Sequence, residues 1–174
     1  MGRAPDRAAR TTRSWIAEGL PWASALARAG LAAVFAWAGL AKVGDLALSR
    51  LTVRSYQLLP EELADLIGNV LPFVELALAL LLLVGLGTRV AACLASLLLL
   101  TFIIGVGSLW IRGIEAACGC FGTTLLSDGS PASYPLILAR DLALLILAVF
   151  VALVSKSRWS VDSMLDRPVP EENV

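Results

Sequence analysis

Two cysteines separated by one residue, Cys118 and Cys120, are the side chains of this chain best suited to chemistry. Gly119 and Gly122 lie on either side of Cys120 and give the backbone freedom to turn, so the two sulfur atoms can come within disulfide distance. A disulfide across one residue is strained and readily reduced, and its loop is too short to stabilise the fold much. The pair therefore favours thiol–disulfide exchange, with Cys118 and Cys120 as catalytic residues.

Other interpretations of the pair stay open. It could be an inert disulfide that shapes a loop, or half of a metal site that a partner completes. The chain has no histidine and no further thiol nearby, so we predict no metal site of its own. Arg112 favours a thiolate at the pair and Glu115 opposes it. Cys93, in an apolar stretch, is expected to be a small buried hydrophobe outside the mechanism.

The composition indicates a membrane protein. Hydrophobic residues make up 58% of the 174 positions and charged residues only 16%, against about 25% charged in an average soluble domain. The apolar residues are concentrated in long blocks, which is the pattern of membrane helices. The formal net charge is zero, so the chain has no bulk positive charge that would favour nucleic acid.

The apolar blocks predict an all-α fold, an integral membrane four-helix bundle. Each block is about 20 residues long, enough for a helix to cross the hydrocarbon core of a bilayer. The membrane domain is predicted over residues 21–155, between polar tails at 1–20 and 156–174. The predicted spans are residues 22–42, 64–86, 90–110 and 134–154.

Lysine and arginine placement predicts the orientation. The N-terminal tail, the loop at Arg89 and the segment with Lys156 and Arg158 are basic, and all three fall on one side of a four-helix protein. That side is expected to be cytoplasmic, with both termini inside and the cysteine loop outside, where disulfides persist. An alternative is that the first span is a cleaved signal peptide, because Ala36-Trp37-Ala38 resembles a cleavage site.

Ionisable residues interrupt the predicted spans. Glu75 lies midway along the second span, three residues after Pro72, and Arg28 and Arg140 lie in the first and fourth spans. One hypothesis is a polar cluster beside a quinone, substrate or proton site. The other is a structural Glu–Arg pair between helices, with Arg28 extended towards the cytoplasmic surface. The long first loop, residues 44–63, is predicted to be an amphipathic segment at the outer interface that could cover the cysteine loop.

The order of these motifs resembles the MauE family (methylamine-utilisation protein E) within the DoxX-like four-helix membrane proteins. The resemblance covers roughly residues 28–154. It rests on Arg28-x-x-Leu31-x-x-Val34-Phe35-x-x-Ala38-Gly39-x-x-Lys42, Tyr56-x-Leu58-Leu59-Pro60, Leu71-Pro72-x-x-Glu75, Arg112-Gly113, Cys118-Gly119-Cys120-Phe121-Gly122 and Arg140-Asp141.

This resemblance implies a redox-associated protein of a bacterial inner membrane that works beside a thioredoxin-like partner in forming disulfides in exported proteins. The methylamine dehydrogenase small subunit is the client of the founding members, and nothing in this sequence indicates methylamine metabolism. Cys118 and Cys120 match the redox pair, and Arg28, Lys42, Glu75 and Arg140 match charged positions of unassigned role. The chain lacks the second cysteine pair through which quinone-linked proteins relay electrons, which argues against direct quinone reduction.

The sequence thus predicts a membrane thiol–disulfide redox protein that exchanges electrons with a thioredoxin-like partner on the outer face. No cofactor is firmly implied, although a quinone could accept the electrons if a pocket exists. Two alternatives remain: a membrane assembly or scaffold subunit without catalysis, and a small transporter centred on Glu75 and Arg140.

Overall fold

The described part of the protein is a bundle of five helices. A computed structural model describes the backbone of residues 7–114 and 134–154 and the side chains of residues 22–114 and 134–154. The helices are α1 (Arg7–Val43), α2 (Leu46–Ser55), α3 (Glu61–Val84), α4 (Thr88–Arg112) and α5 (Tyr134–Leu153).

The predicted all-α membrane fold is confirmed. Four helices are long and apolar enough to cross a membrane, and their bounds agree with the predicted spans to within a few residues. The described residues include no strand. The backbone of α1 begins at Arg7, inside the segment predicted to be a polar tail. The candidate spans are Trp22–Val43, Glu61–Val84, Thr88–Arg112 and Tyr134–Leu153.

A short glycine turn joins α3 to α4 and reverses the chain. Gly85 and Gly87 have φ angles of 76° and 57°, in the left-handed region that residues with a Cβ resist. The amides of Gly85 and Leu86 both donate to the carbonyl of Leu81, which satisfies the end of α3. The turn therefore places α3 and α4 antiparallel.

The four long helices alternate in direction around the bundle. Ser24 of α1 donates its hydroxyl to the carbonyl of Val154, directly after α5, at 3.0 Å. At the other end of the bundle, the Tyr134 hydroxyl of α5 donates to the carbonyl of Ile114, directly after α4. We name this second end the α2 end, because α2 connects the end of α1 to the start of α3 there.

Most of the apolar core lies in the half of the bundle away from the α2 end. All four long helices contribute to this opposite-half core, and its members are almost fully buried. A smaller apolar cluster at the α2 end joins α4 to α5 through Val106, Leu109, Tyr134 and Ile137. The opposite-half core includes Leu31, Ala32, Phe35, Ala79, Leu82, Ala91, Ala92, Ala95, Leu99, Ala148 and Val151.

The loop predicted to be amphipathic contains α2. Asp45 caps this helix by accepting a hydrogen bond from the Leu48 amide at 2.9 Å, the usual role of aspartate at a helix start. The helix crosses α3 at Gly68, where an added Cβ would meet the Cα of Arg50 at 2.7 Å. The absence of a side chain at Gly68 is therefore what lets the two backbones touch.

Candidate functional site

A buried ion pair between α1 and α3 is the centre of the candidate site. Lys42, in the last turn of α1, points back along its helix, and its Nζ donates to Oε1 of Glu75. Glu75 is 0% exposed and Lys42 is 6% exposed, so the pair is screened from both lipid and solvent. The other carboxylate oxygen of Glu75, Oε2, has no hydrogen-bond donor in the described part of the chain.

Helix α5 brings a second buried carboxylate towards the same ammonium group. Asp141 of α5 is 1% exposed. Arg140 donates to its Oδ1 from both Nε (3.0 Å) and Nη2 (2.8 Å). Among the described residues its Oδ2 receives no hydrogen bond. The charge of Lys42 also acts on Asp141, so Lys42 lies within electrostatic reach of both carboxylates.

A small cavity lies beside Lys42, beneath α2. Its volume is about 20 Å³, which is room for a single water molecule. The Phe102 ring of α4 closes one side, with its centroid 5.2 Å from Lys42 Nζ, within cation–π range. The side chains that line the cavity are Lys42, Ser49, Thr52, Val53, Tyr56, Leu71 and Phe102.

The cavity beneath α2 is far smaller than a quinone. The cavity beneath α2 holds about 20 Å³, whereas pockets for molecules of that size hold about 300–1,000 Å³. A larger groove of about 270 Å³ between α1 and α3 is lined by alanines and leucines and offers no polar group to a quinone ring. A groove of similar volume beside α2 does carry polar side chains, those of Arg50, Arg54 and Asp65. The quinone remains a prediction.

Two predictions about the charged residues are wrong. Glu75 does not pair with an arginine: its partner is Lys42, and Arg140 binds Asp141. The transporter alternative centred on Glu75 and Arg140 stays a prediction. The side chain of Arg28 does not extend to the surface, since the residue is buried within the bundle. Cys93 also differs from expectation, because it is exposed on α4 towards the end opposite α2.

The cysteine pair lies outside the described residues, and side-chain hydrogen bonds hold the helix ends that flank it. The Tyr134 hydroxyl donates to the Ile114 carbonyl at 2.6 Å, and Tyr134 is fully buried. Arg112 donates to the Tyr56 carbonyl at 2.8 Å and to Gln57 Oε1 at 3.2 Å. These bonds join the chain on both sides of residues 115–133 to the α2 end.

A family comparison gives this arrangement its context. The family model described as "Methylamine utilisation protein MauE" matches residues 20–154. This chain belongs to the MauE family. No curated protein and no solved structure matched it.

The MauE match includes all four candidate membrane spans, α2 and the segment that contains Cys118 and Cys120. This MauE-family chain is therefore a multi-pass membrane protein. The family and the resemblance inferred from the sequence agree, and the roles of Cys118 and Cys120 remain predictions.

Several residues of the site were not found from the sequence. Phe102 is one of many apolar residues in α4, and its contact with Lys42 has no sequence signal. Ser49 donates to the Gly68 carbonyl at 2.7 Å. The need for such a donor is visible in the sequence, because Pro72, four residues after Gly68, has no N–H to offer. The sequence does not show that Ser49 meets the need.

An exposed charge pair fixes the outside of α2. Arg54 donates from Nε and Nη2 to the two carboxylate oxygens of Asp65 at 2.6 and 2.5 Å. These hydrogen bonds raise the pKa of the Arg54 guanidinium above its usual value. Because the pair is exposed, it orients α2 more than it stabilises the fold.

Proposed function

We propose that this protein is a membrane thiol–disulfide redox protein. Its Cys118–Cys120 pair would exchange electrons with a thioredoxin-like partner on the outer face of a bacterial cell membrane and support disulfide formation in exported proteins. Membership of the MauE family supports the proposal. The spacing of the two cysteines and the glycines beside Cys120 support it independently.

The observation that carries the proposal is the hydrogen bond from Tyr134 to Ile114. It fixes the residues just before and just after the cysteine segment against each other at the α2 end. A redox pair that meets a partner outside the bilayer needs a segment that leaves and re-enters the bundle at one end. The positive-inside pattern, with Arg89 at the opposite end, favours an outward-facing α2 end and cytoplasmic termini.

The exchange itself needs no further group. A thiolate of the reduced partner attacks one sulfur of the Cys118–Cys120 disulfide and forms a mixed disulfide, while the second sulfur leaves as a thiolate and takes a proton. The partner's second thiolate then attacks the partner's other sulfur in the mixed disulfide. The sulfur of this chain leaves as a thiolate and takes a proton. The partner is oxidised to a disulfide, and this chain is reduced to the dithiol.

Trapping the mixed disulfide tests the proposal. In a Cys120→Ser or Cys118→Ser variant, the remaining cysteine should capture a thioredoxin-fold protein, and the complex should disappear when the partner's own cysteine is replaced. Cys93→Ser is the matched control, because Cys93 lies towards the other end of α4 and should not affect capture. If a Cys118→Ser/Cys120→Ser variant supports disulfide formation fully, the protein is a scaffold rather than a redox protein.

A further inference from the structure

Two carboxylate oxygens in the middle of the bundle require a hydrogen-bond donor. Glu75 Oε2 and Asp141 Oδ2 are buried and receive no hydrogen bond from the described residues. A charged oxygen in this state is costly in a low-dielectric interior, whereas a protonated carboxyl group is not. The two side chains come from different helices, α3 and α5, and Lys42 lies within electrostatic reach of both.

Lys42 connects this polar centre to the cavity beneath α2. Its side chain lines the cavity, which has room for one water molecule, and its ammonium group donates to Glu75. Ser49, Thr52 and Tyr56 supply the wall that faces the α2 end. A proton arriving from that end therefore reaches Lys42 before it reaches Glu75.

The other half of the bundle offers no comparable route. On the side of Glu75 away from the α2 end, the helices meet through the opposite-half core. Its members are apolar and at most 9% exposed. Leu31, Leu82 and Ala148 are completely buried there. Among the described residues this half also buries the polar side chains of Ser24, Arg28 and Thr88. The Ser24 hydroxyl is bonded to the Val154 carbonyl at the far end, and an arginine keeps its proton in a protein, so neither relays a proton through the packed apolar layer.

We propose that Lys42 and Glu75 form a proton-binding centre that exchanges protons only with the α2 end. Lys42 gives a proton from Nζ to the Glu75 carboxylate: an N–H bond breaks and an O–H bond forms. A proton from the compartment at the α2 end then passes through the cavity water to the neutral amine, the water receiving one proton for the one it gives, so Lys42 regains its charge and one proton has been bound. No electron moves, and the proposal does not depend on exchange at Cys118 and Cys120.

The charged groups around Glu75 fit a centre that binds one proton. Lys42 faces it from α1, and Asp141 with its partner Arg140 lies beyond Lys42 on α5. The contribution of α4 is the uncharged Phe102 ring. Tyr56, after α2, is the one titratable group that lines the cavity besides Lys42. Two cations and two carboxylates make the described set formally neutral before a proton binds.

Infrared spectroscopy of the full chain in uniformly oriented proteoliposomes tests the proposal. Acidifying the compartment that the α2 end faces should produce the C=O stretching band of a protonated carboxyl group, and acidifying the other compartment should not. The proposal is overturned if wild type shows no such band, or if both compartments are equally effective. This comparison uses wild type alone, so a variant that fails to fold does not affect it.

Variants then assign the band. Glu75→Gln should remove it, whereas the matched control Glu62→Gln should retain it, because Glu62 lies exposed in the first turn of α3. Lys42→Met should show the band without acidification, because a buried carboxylate that has lost its counter-ion takes up a proton. A band that persists in Glu75→Gln contradicts the assignment. Cys118→Ser/Cys120→Ser should keep the band, which separates this proposal from the redox function.

Discussion

The hydroxyl of Ser49 donates to the carbonyl oxygen of Gly68 at 2.7 Å. This is the carbonyl to which Pro72, lacking an N–H, cannot donate a hydrogen bond. In an uninterrupted helix the amide of residue 72 would donate to it, but proline has no N–H. The short helix α2 thus completes the hydrogen bonding of the membrane helix α3. Its position above the Lys42 cavity follows from this bond and from the bare backbone of Gly68.

Replacing Ser49 with alanine should loosen α2. The Gly68 carbonyl would then be buried without a donor, which costs about 1–3 kcal/mol. We expect a lower thermal unfolding midpoint in detergent, followed by tryptophan fluorescence. Ser96→Ala is the matched control, because Ser96 bonds to the Ala92 carbonyl of its own helix, at 2.8 Å. Equal midpoints for the two variants would contradict this role of Ser49.

A side chain at Gly68 should separate α2 from α3. The new Cβ of Gly68→Ala would lie 2.7 Å from the Cα of Arg50, and backbone cannot move aside as a flexible side chain can. Overpacking of this kind costs about 1–3 kcal/mol, and the unfolding free energy should fall accordingly.

Gly107→Ala provides the comparison for Gly68→Ala. An added Cβ at Gly107, in α4, meets nothing within 4 Å, so the substitution should be neutral or stabilising. If Gly68→Ala is as stable as Gly107→Ala, the close crossing of α2 over α3 is wrong.

Breaking the Lys42–Glu75 pair from one side should be severe. Lys42→Met leaves the Glu75 carboxylate buried without its counter-ion, and losses of this kind are about 3–5 kcal/mol. The double variant Lys42→Met/Glu75→Leu should recover much of that loss, because no charge then remains unpaired. Reversible unfolding in mixed detergent micelles measures the four free energies of the cycle.

The exposed pair of Arg54 and Asp65 is the control for that cycle. Its coupling should be much weaker than that of a buried pair, as for other pairs on a surface. A Lys42–Glu75 coupling no larger than the Arg54–Asp65 coupling would show that the inner pair is not buried in a low-dielectric environment.

Removing the Tyr134 hydroxyl should affect the cysteine segment. Tyr134→Phe keeps the buried ring but loses the hydrogen bond to Ile114, worth about 0.5–1.5 kcal/mol. We expect slower mixed-disulfide formation with the partner, measured by quenched alkylation. Thr101→Ala is the control, since Thr101 bonds only within α4, to Leu97. An unchanged rate in Tyr134→Phe would show that this bond does not position the pair.

The sequence was sufficient to predict the membrane helices, because long apolar runs leave few alternatives in a bilayer. Its limits appear where polar residues continue a helix. The backbone of α1 extends back to Arg7, through residues that the sequence predicts to be a polar tail. The helix α2 was expected only as an amphipathic segment, because its place on α3 depends on Gly68 and Pro72 together.

The site was predictable as a set of charged residues but not as pairs. Glu75 is recognisable from the sequence, because a carboxylate inside an apolar span must be paired or protonated. Its choice of Lys42 over Arg140 depends on how the ends of α1 and α3 overlap, and helical periodicity does not specify that overlap. Arg140 forms an ion pair with Asp141, the next residue in the chain. The spacing of the two residues does not by itself predict this contact.

Labelling of Cys118 and Cys120 in intact cells tests the redox account most directly. In a Cys93→Ser background, a membrane-impermeant maleimide added outside should label neither cysteine while the pair is a disulfide, and should label both after mild reduction or once the reduced partner has passed its electrons to the pair. Labelling that requires permeabilised cells, or a pair whose oxidation state never changes under reductant, would contradict the account.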